Sequence, residues 1–292
     1  MTVKEIWGHR GCVGEVGIEI ETEGANLPEY IEKYWLKEHD GSLRGESAEY
    51  VLRRPVKRKE VDKVLNHLSA SMVEAGAKVA DSPRTSVHIH INCQELEMQE
   101  VMSFYCLYTI FEELLVKFCG DEREGNLFCL RSIDAEYLPE VMYDVARTQR
   151  WDKLGDNDLQ YAAINVCALA KFGSLEFRAM RGTHDMSVLK MWIGMLLKIK
   201  DAAVGFEETR GIIESLSNRG EAGFLREIFG DKYADVLAQP DMEKKIRSGV
   251  RRVQHIAYAT PNAMVKKPRL KVRVEPRPLI YAEVHGGNER DF

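Results

Sequence analysis

Four stretches of the chain alternate apolar and polar residues with a period of two, the pattern of a strand with one face in a core. In Val16–Glu21, Val16, Ile18 and Ile20 alternate with Gly17, Glu19 and Glu21. In Val87–Asn92, Val87, Ile89 and Ile91 alternate with His88, His90 and Asn92. Leu175, Phe177 and Ala179 alternate with Ser174, Glu176, Arg178 and Met180. Near Ala48–Arg53, Tyr50 and Leu52 oppose Glu49 and Arg53. Each strand therefore offers one apolar face and one face of Glu, His or Arg.

Elsewhere the apolar spacing is helical. Val61, Val64, Leu65, Leu68 and Met72 predict a helix over Lys59–Ala75, ended by Gly76. Further helices are predicted over Leu96–Phe118, Ala135–Thr148 and Ser187–Gly205, with shorter segments on to Val253. A short acidic helix containing Trp35 is predicted before the turn "HDGS". Tyr161–Leu169 reads as a strand, joined through Lys171–Gly173 to Ser174–Met180 in an antiparallel hairpin. After Thr260 the chain is Pro-studded and reads as extended. Strands and helices mix without a regular βαβ rhythm. The expected fold is α+β, a curved, mainly antiparallel sheet with helices packed on its apolar face.

Composition narrows the class. The 292 residues are 45% hydrophobic and 30% charged, as in a soluble globular protein with a sizeable core. No run is long and apolar enough to span a membrane, and Lys4, Glu5, His9 and Arg10 interrupt any apolar leader. A cytoplasmic protein with no membrane partner is expected. The six cysteines contain no C-x-x-C pair and read as small buried hydrophobes. The net charge of −5 hides an asymmetry. Between Lys244 and Pro278 stand Lys244, Lys245, Arg247, Arg251, Arg252, Lys266, Lys267, Arg269, Lys271, Arg273 and Arg277, against Glu275 alone. Such a segment is either an arm for DNA or another polyanion, or a solvated arm lying on the acidic body.

If the apolar faces pack under helices, the polar faces line one surface. Carboxylates crowded there repel unless a cation sits among them. Glutamates with one or two imidazoles suit a hard divalent ion such as Mg²⁺ or Mn²⁺. Arg53 and Arg178 on the same side call for an anionic ligand, with phosphate the natural candidate. Each pattern alone has an ordinary counterpart in a solvated sheet face; all four in phase do not. The sequence has no P-loop, no G-x-G-x-x-G, no G-x-S-x-G and no H-E-x-x-H. Cys12 and Cys93 flank the polar strands without an adjacent base.

The order of motifs is familiar. "GIEIE", "HDGSL" with "EYVLRRP", "VHIHIN" and "INVCALAKFGSLEFRAMRGTHD" follow one another as in the amidoligase family, which the chain resembles from about Gly14 to Lys200. That family belongs to the glutamine synthetase-like carboxylate–amine ligase superfamily. Many members occur in phage genomes and in peptide-modifying gene clusters. The resemblance implies a glutamine synthetase-like catalytic fold. It also implies ATP- and Mg²⁺-dependent formation of an amide or isopeptide bond through an acyl phosphate. Glu19, Glu21, Glu49, His88 and Glu176 correspond to metal ligands, and His90 to a phosphate-side neighbour. Arg178 corresponds to a phosphate-contacting arginine, and with Glu49 and His90 makes the expected catalytic set. Arg181, Asn165 and Ser42 fall at positions near the nucleotide, Ser42 with Asp40 in the Asp-Gly-Ser turn. Gln160 and Tyr161 stand where the family pattern often has an arginine, with Arg147 or Arg150 as substitutes.

The resemblance divides the chain into a catalytic domain over 1–205, a helical extension over 206–258 and a basic tail over 259–292. It implies carboxylate and amine substrates, either small or attached to a macromolecule. It allows an oligomer without specifying one, and for a phage-encoded protein it places the enzyme in the host cytoplasm. Two other classes use the same face differently: a metal-dependent hydrolase or phosphoesterase, and a non-catalytic binding protein.

Overall fold

The computed structural model describes residues 1–135, 137–155 and 159–259. Its centre is an open antiparallel sheet. The strands are β1 (Val16–Ala25), β2 (Trp35–Glu38), β3 (Ser47–Leu52), β4 (Lys78–Val79), β5 (Ser86–Asn92), β6 (Ile164–Asn165) and β7 (Ser174–Arg181). They lie in the order β2-β3-β1-β5-β7-β6, with β4 paired to the end of β1. The helices are α1 (Val3–Trp7), α2 (Val61–Ala75), α3 (Met98–Cys119), α4 (Tyr137–Thr148), α5 (Ala168–Phe172), α6 (Met186–Gly205), α7 (Arg210–Leu237) and α8 (Met242–Ala259). The expected α+β class, with helices on the apolar sheet face, is what the chain forms.

The core explains which face is covered. Val16, Ile18, Ile20, Val87, Ile89, Ile91, Leu175 and Phe177 are all buried. Phe104 and Tyr108 of α3 place their rings 5.5 and 5.0 Å from that of Phe177. Because α3 lies between the sheet and the outer helices, it is buried nearly all round. A helix in that position has no solvent face to keep polar, hence its run of aromatic and aliphatic residues. On α8, Gly249 lets the two backbones meet: a Cβ there would lie 2.5 Å from the carbonyl oxygen of Ile110.

Two local expectations are corrected. The segment around Trp35 is strand β2, not an acidic helix. Four residues are too few to nucleate a helix, and β2 completes the edge of β3 with Glu38 opposite Glu49. Trp35 is buried and donates Nε1–H to the Val64 carbonyl, 3.1 Å away on α2. The predicted strand Tyr161–Leu169 shrinks to β6. The Asn165 side chain accepts the Cys167 N–H at 2.9 Å and turns the chain into α5. Toward the C-terminus the expected shorter helical segments are found. Within α7 the helical dihedrals break at Gly220 (φ 69°) and Gly230 (φ 70°), which glycine adopts without a Cβ clash.

A β-bulge in the β5–β7 pairing has the largest consequence. The register shifts between Val87 and Ile89, so that Val87 faces Met180 and Ile89 faces Phe177. Simple alternation puts Met180 on the polar face; the bulge returns it to the core, where it is buried. Beyond the bulge Arg181 faces Ser86.

Of the basic C-terminal segment, Lys244 to Arg252 lie on α8. Lys245 pairs with Asp241, Arg247 with Glu221 and Glu243, and Arg252 with Glu113. This part therefore rests on acidic partners of the folded body. The tail from Thr260, including Lys266–Arg277, lies outside the described residues. No helix among the described residues is long and apolar enough to cross a membrane.

Candidate functional site

Register brings the polar residues together in three rows across the sheet. Glu38, Glu49 and Glu21 form one row on β2, β3 and β1. Val51, Glu19 and His88 form the next on β3, β1 and β5. Gly17, His90, Glu176 and Asn165 form the third on β1, β5, β7 and β6. With Glu21 and His88 as their register neighbours, Glu38, Glu49, Glu19, His90, Glu176 and Asn165 line a cleft of about 500 Å³. Its far wall is built by α5 and the turn before it, with Tyr161, Lys171 and Phe172 among the lining residues.

The contacts are close. His88 Nδ1 lies 3.4 Å from Glu19 and 3.5 Å from Glu176. His90 Nε2 lies 3.2 Å from Glu19 Oε1. Arg178 donates to one oxygen of Glu176 and Asn165 to the other, each at 2.6 Å. Ser86 donates its N–H and its hydroxyl to Glu21 Oε2, at 2.7 and 2.8 Å. Since that hydroxyl proton is committed to Glu21, His88 Nε2–H donates to Ser86 Oγ, 2.8 Å away. That contact orients the ring so that Nδ1 faces the carboxylates of Glu19 and Glu176. Ser174 Oγ, 3.0 Å from His90 Nδ1, fixes the second imidazole in the same way.

Charge crowding shows in the titration of the groups. Burial and then the neighbouring Glu19, Glu21, Asp40 and Glu38 push the Glu49 carboxyl up to about 8. Burial would raise Glu19 too, but His90 and His88 outweigh it and hold its carboxyl well below the usual range. Burial disfavours a charged His90, yet Glu19 and Glu176 raise its pKa. In the cation-free protein the two imidazoles thus offset part of the repulsion among the carboxylates.

The donor set fits a divalent ion. Glu19, His90 and Glu176 each present a ligand atom within 4.8 Å of the others; so do Glu19, Glu49 and His88, and so do Glu21, Asp40 and Glu49. Glu19 and Glu49 are shared between groups. Oxygen-rich triads with one imidazole at most match Mg²⁺ or Mn²⁺ better than zinc.

Other residues fall elsewhere. Ser42 is exposed; its N–H bonds to Asp40 Oδ1 at 2.7 Å, and it does not line the cleft. Arg181 is half-exposed near Glu122, 3.9 Å away, also outside the lining. Arg53, read from alternation as a cleft residue, lines a separate cleft at the end of β3. Arg147 and Arg150 pair with Asp144 and Asp152 on an exposed surface and do not take the position of an arginine in the cleft. Burial pushes the Cys12 thiol up and the Cys93 thiol up to about 11, which disfavours a thiolate nucleophile at either. His184 bonds Thr22 at 2.9 Å, a local contact.

Sequence reasoning missed Glu38, hidden in the supposed helix, and gave Asp40 only a turn. It also passed over Ser86, although Ser-x-His-x-His places all three residues on one strand face.

Residues 54–200, just over half of the chain, match the model of a family described as "putative amidoligase enzyme". His88, His90, Asn165, Glu176 and Arg178 lie inside the match; Glu19, Glu21 and Glu49 precede it. No curated protein matches the chain in sequence.

Proposed function

The chain belongs to the amidoligase family, and from that premise we propose that it joins a carboxylate to an amine at the cost of ATP, with Mg²⁺ or Mn²⁺. The observation that carries this reading is that Glu19, Glu49, His90 and Glu176 line one cleft, with His88 in ligand distance of Glu19 and Glu49 beside them.

Glu19, Glu21, Glu49, His88 and Glu176 would hold the cations. When bound, these supply charge neutralisation for a triphosphate and for the phosphoryl group in transfer. Arg178 contributes a fixed positive charge, largely buried against Glu176 and facing the cleft, where phosphoryl oxygens require one. Asn165 holds the second oxygen of Glu176, so that the carboxylate keeps its orientation. In the reaction the substrate carboxylate takes the terminal phosphoryl group and ADP leaves. The amine then attacks the acyl carbon; a C–N bond forms, the C–O bond to phosphate breaks, and the amine sheds a proton. His90, at the cleft but outside the cation-holding set, is the titratable group suited to receive it.

Thermal stability with and without Mg²⁺·ATP tests the reading. Wild type is expected to gain stability, Glu19→Ala and Glu176→Ala to gain none, and Arg178→Lys to respond to Mg²⁺ alone but weakly to ATP. No response in wild type, or equal responses in all four, sinks it.

A further inference from the structure

A second cleft, of about 170 Å³, opens where β3 ends. It shares that strand with the first: Glu49 and Val51 line the acidic cleft, Leu52 and Arg53 the second. Arg53 is two residues on from Val51, about 7 Å along a strand. The lining is strongly basic. Lys33, Arg53, Arg54 and Lys57 surround it, with Tyr34 as its aromatic wall and Glu60 as its only acidic side chain. Glu60 is itself used, accepting the Lys57 N–H at 3.1 Å.

These four cations converge on one cleft that holds a single carboxylate side chain. Among the described residues, none of Lys33, Arg53, Arg54 and Lys57 has a carboxylate within ion-pair distance. Nε of Arg53 is buried and has no hydrogen-bond partner among them. A guanidinium N–H withdrawn from water without an acceptor is costly. Lys33 Nζ sits over the Tyr34 ring, 5.1 Å from its centroid, and in a chain with more acids than bases a cleft of cations without carboxylate partners and with a buried donor is shaped for an oxyanion.

We propose that this cleft binds an anionic group of the acid substrate: the carboxylate that reacts lies in the first cleft, and a second carboxylate or a phosphate of the same molecule is held by Arg53, Arg54, Lys57 and Lys33. Only the assignment to the acid substrate rests on the ligase reading. The substrate class is thus an acid with two anionic groups, the second within roughly a few residues' length of the first.

Calorimetric titration of the full chain at low salt with tri-glutamate, and separately with phosphoserine, tests this. At least one of the two is expected to bind, showing which oxyanion is preferred. Arg53→Gln and the exposed Lys57→Gln are each expected to weaken it by about tenfold or more. Arg226→Gln, on α7 away from both clefts, should leave it unchanged. If neither probe binds, or both variants bind like wild type, the proposal is overturned. If a 20-base-pair DNA duplex binds more tightly than either probe through the same residues, it is overturned in favour of a nucleic-acid contact. Mg²⁺·ATP stabilisation without probe binding removes the second cleft and leaves the ligase reading. Probe binding through Arg53 without any Mg²⁺·ATP response leaves the anion site and removes the ligase reading.

Discussion

Glu19 and His90 meet at 3.2 Å although they are diagonal, not opposite, in the β1–β5 ladder. The residue directly across from Glu19 is His88. One carboxylate is thus reached by imidazoles from two positions of the same strand, which makes Glu19 the pivot of two of the three candidate ligand groups.

Removing that pivot should abolish the response to divalent cations. Mg²⁺ at a hundredfold excess over its Kd stabilises a native state by about 2.7 kcal/mol. Glu19→Ala and Glu21→Ala are expected to lose the corresponding rise in Tm. Glu23→Ala should keep it. Glu23 shares the strand phase but spends a carboxylate oxygen on the Arg44 N–H, 2.7 Å away. Differential scanning fluorimetry over a Mg²⁺ series measures all three; a Glu23→Ala variant as unresponsive as Glu19→Ala would contradict the assignment.

Cation uptake should release a proton. Glu49 titrates near 8 in the cation-free protein, so near pH 7 it is mostly protonated and must ionise to serve as a ligand. Mg²⁺ affinity is therefore expected to rise from pH 6 to pH 8.5 and then level off. Calorimetry in two buffers of different ionisation enthalpy should count about one proton released per ion at pH 7, and none for Glu49→Gln.

Glu112 offers a pH effect independent of metal. It is buried on α3, accepts the Ser132 N–H at 2.7 Å, and is pushed by burial up to about 7. An unfolded Glu titrates at about 4.3. Between these values the native state holds the proton and the unfolded state does not, so stability falls as pH rises through that window. Glu112→Gln should flatten this slope, melting roughly 3–6 °C above wild type at pH 8 relative to the comparison at pH 4.5. Parallel curves would show that Glu112 does not control it.

Gly249→Ala should destabilise the domain by about 1–3 kcal/mol, because its Cβ would press on the backbone of α3 at Ile110. Chemical denaturation reads this directly. An unchanged midpoint would mean that α8 shifts outward at no cost.

The tail bears on nucleic acid. The α8 portion of the basic segment has acidic partners at Glu113, Glu221 and Asp241. Any DNA contact is then expected to depend on the residues that follow. Deleting Lys266–Phe292 should lower retention on a DNA column at low salt; equal retention would argue against such a contact.

The alternation of apolar with Glu, His and Arg residues was enough to predict the strands β1, β3, β5 and β7, the covered face and the presence of a carboxylate–imidazole surface. That much is local, because a period of two assigns each side chain to a face before any strand has a neighbour. It could not place β2, whose four residues become a strand only by completing the edge of β3, and so Glu38 stayed hidden. It could not foresee the bulge opposite His88, which sends Met180 inward and brings Arg181 opposite Ser86. Nor could it separate Arg53 from Arg178: both sit on polar phases, yet β3 ends at Leu52 and its continuation opens a cleft of its own. Which carboxylate meets which imidazole is a matter of register between strands distant in sequence. Register is set by pairing and packing, so only the tertiary structure decided it.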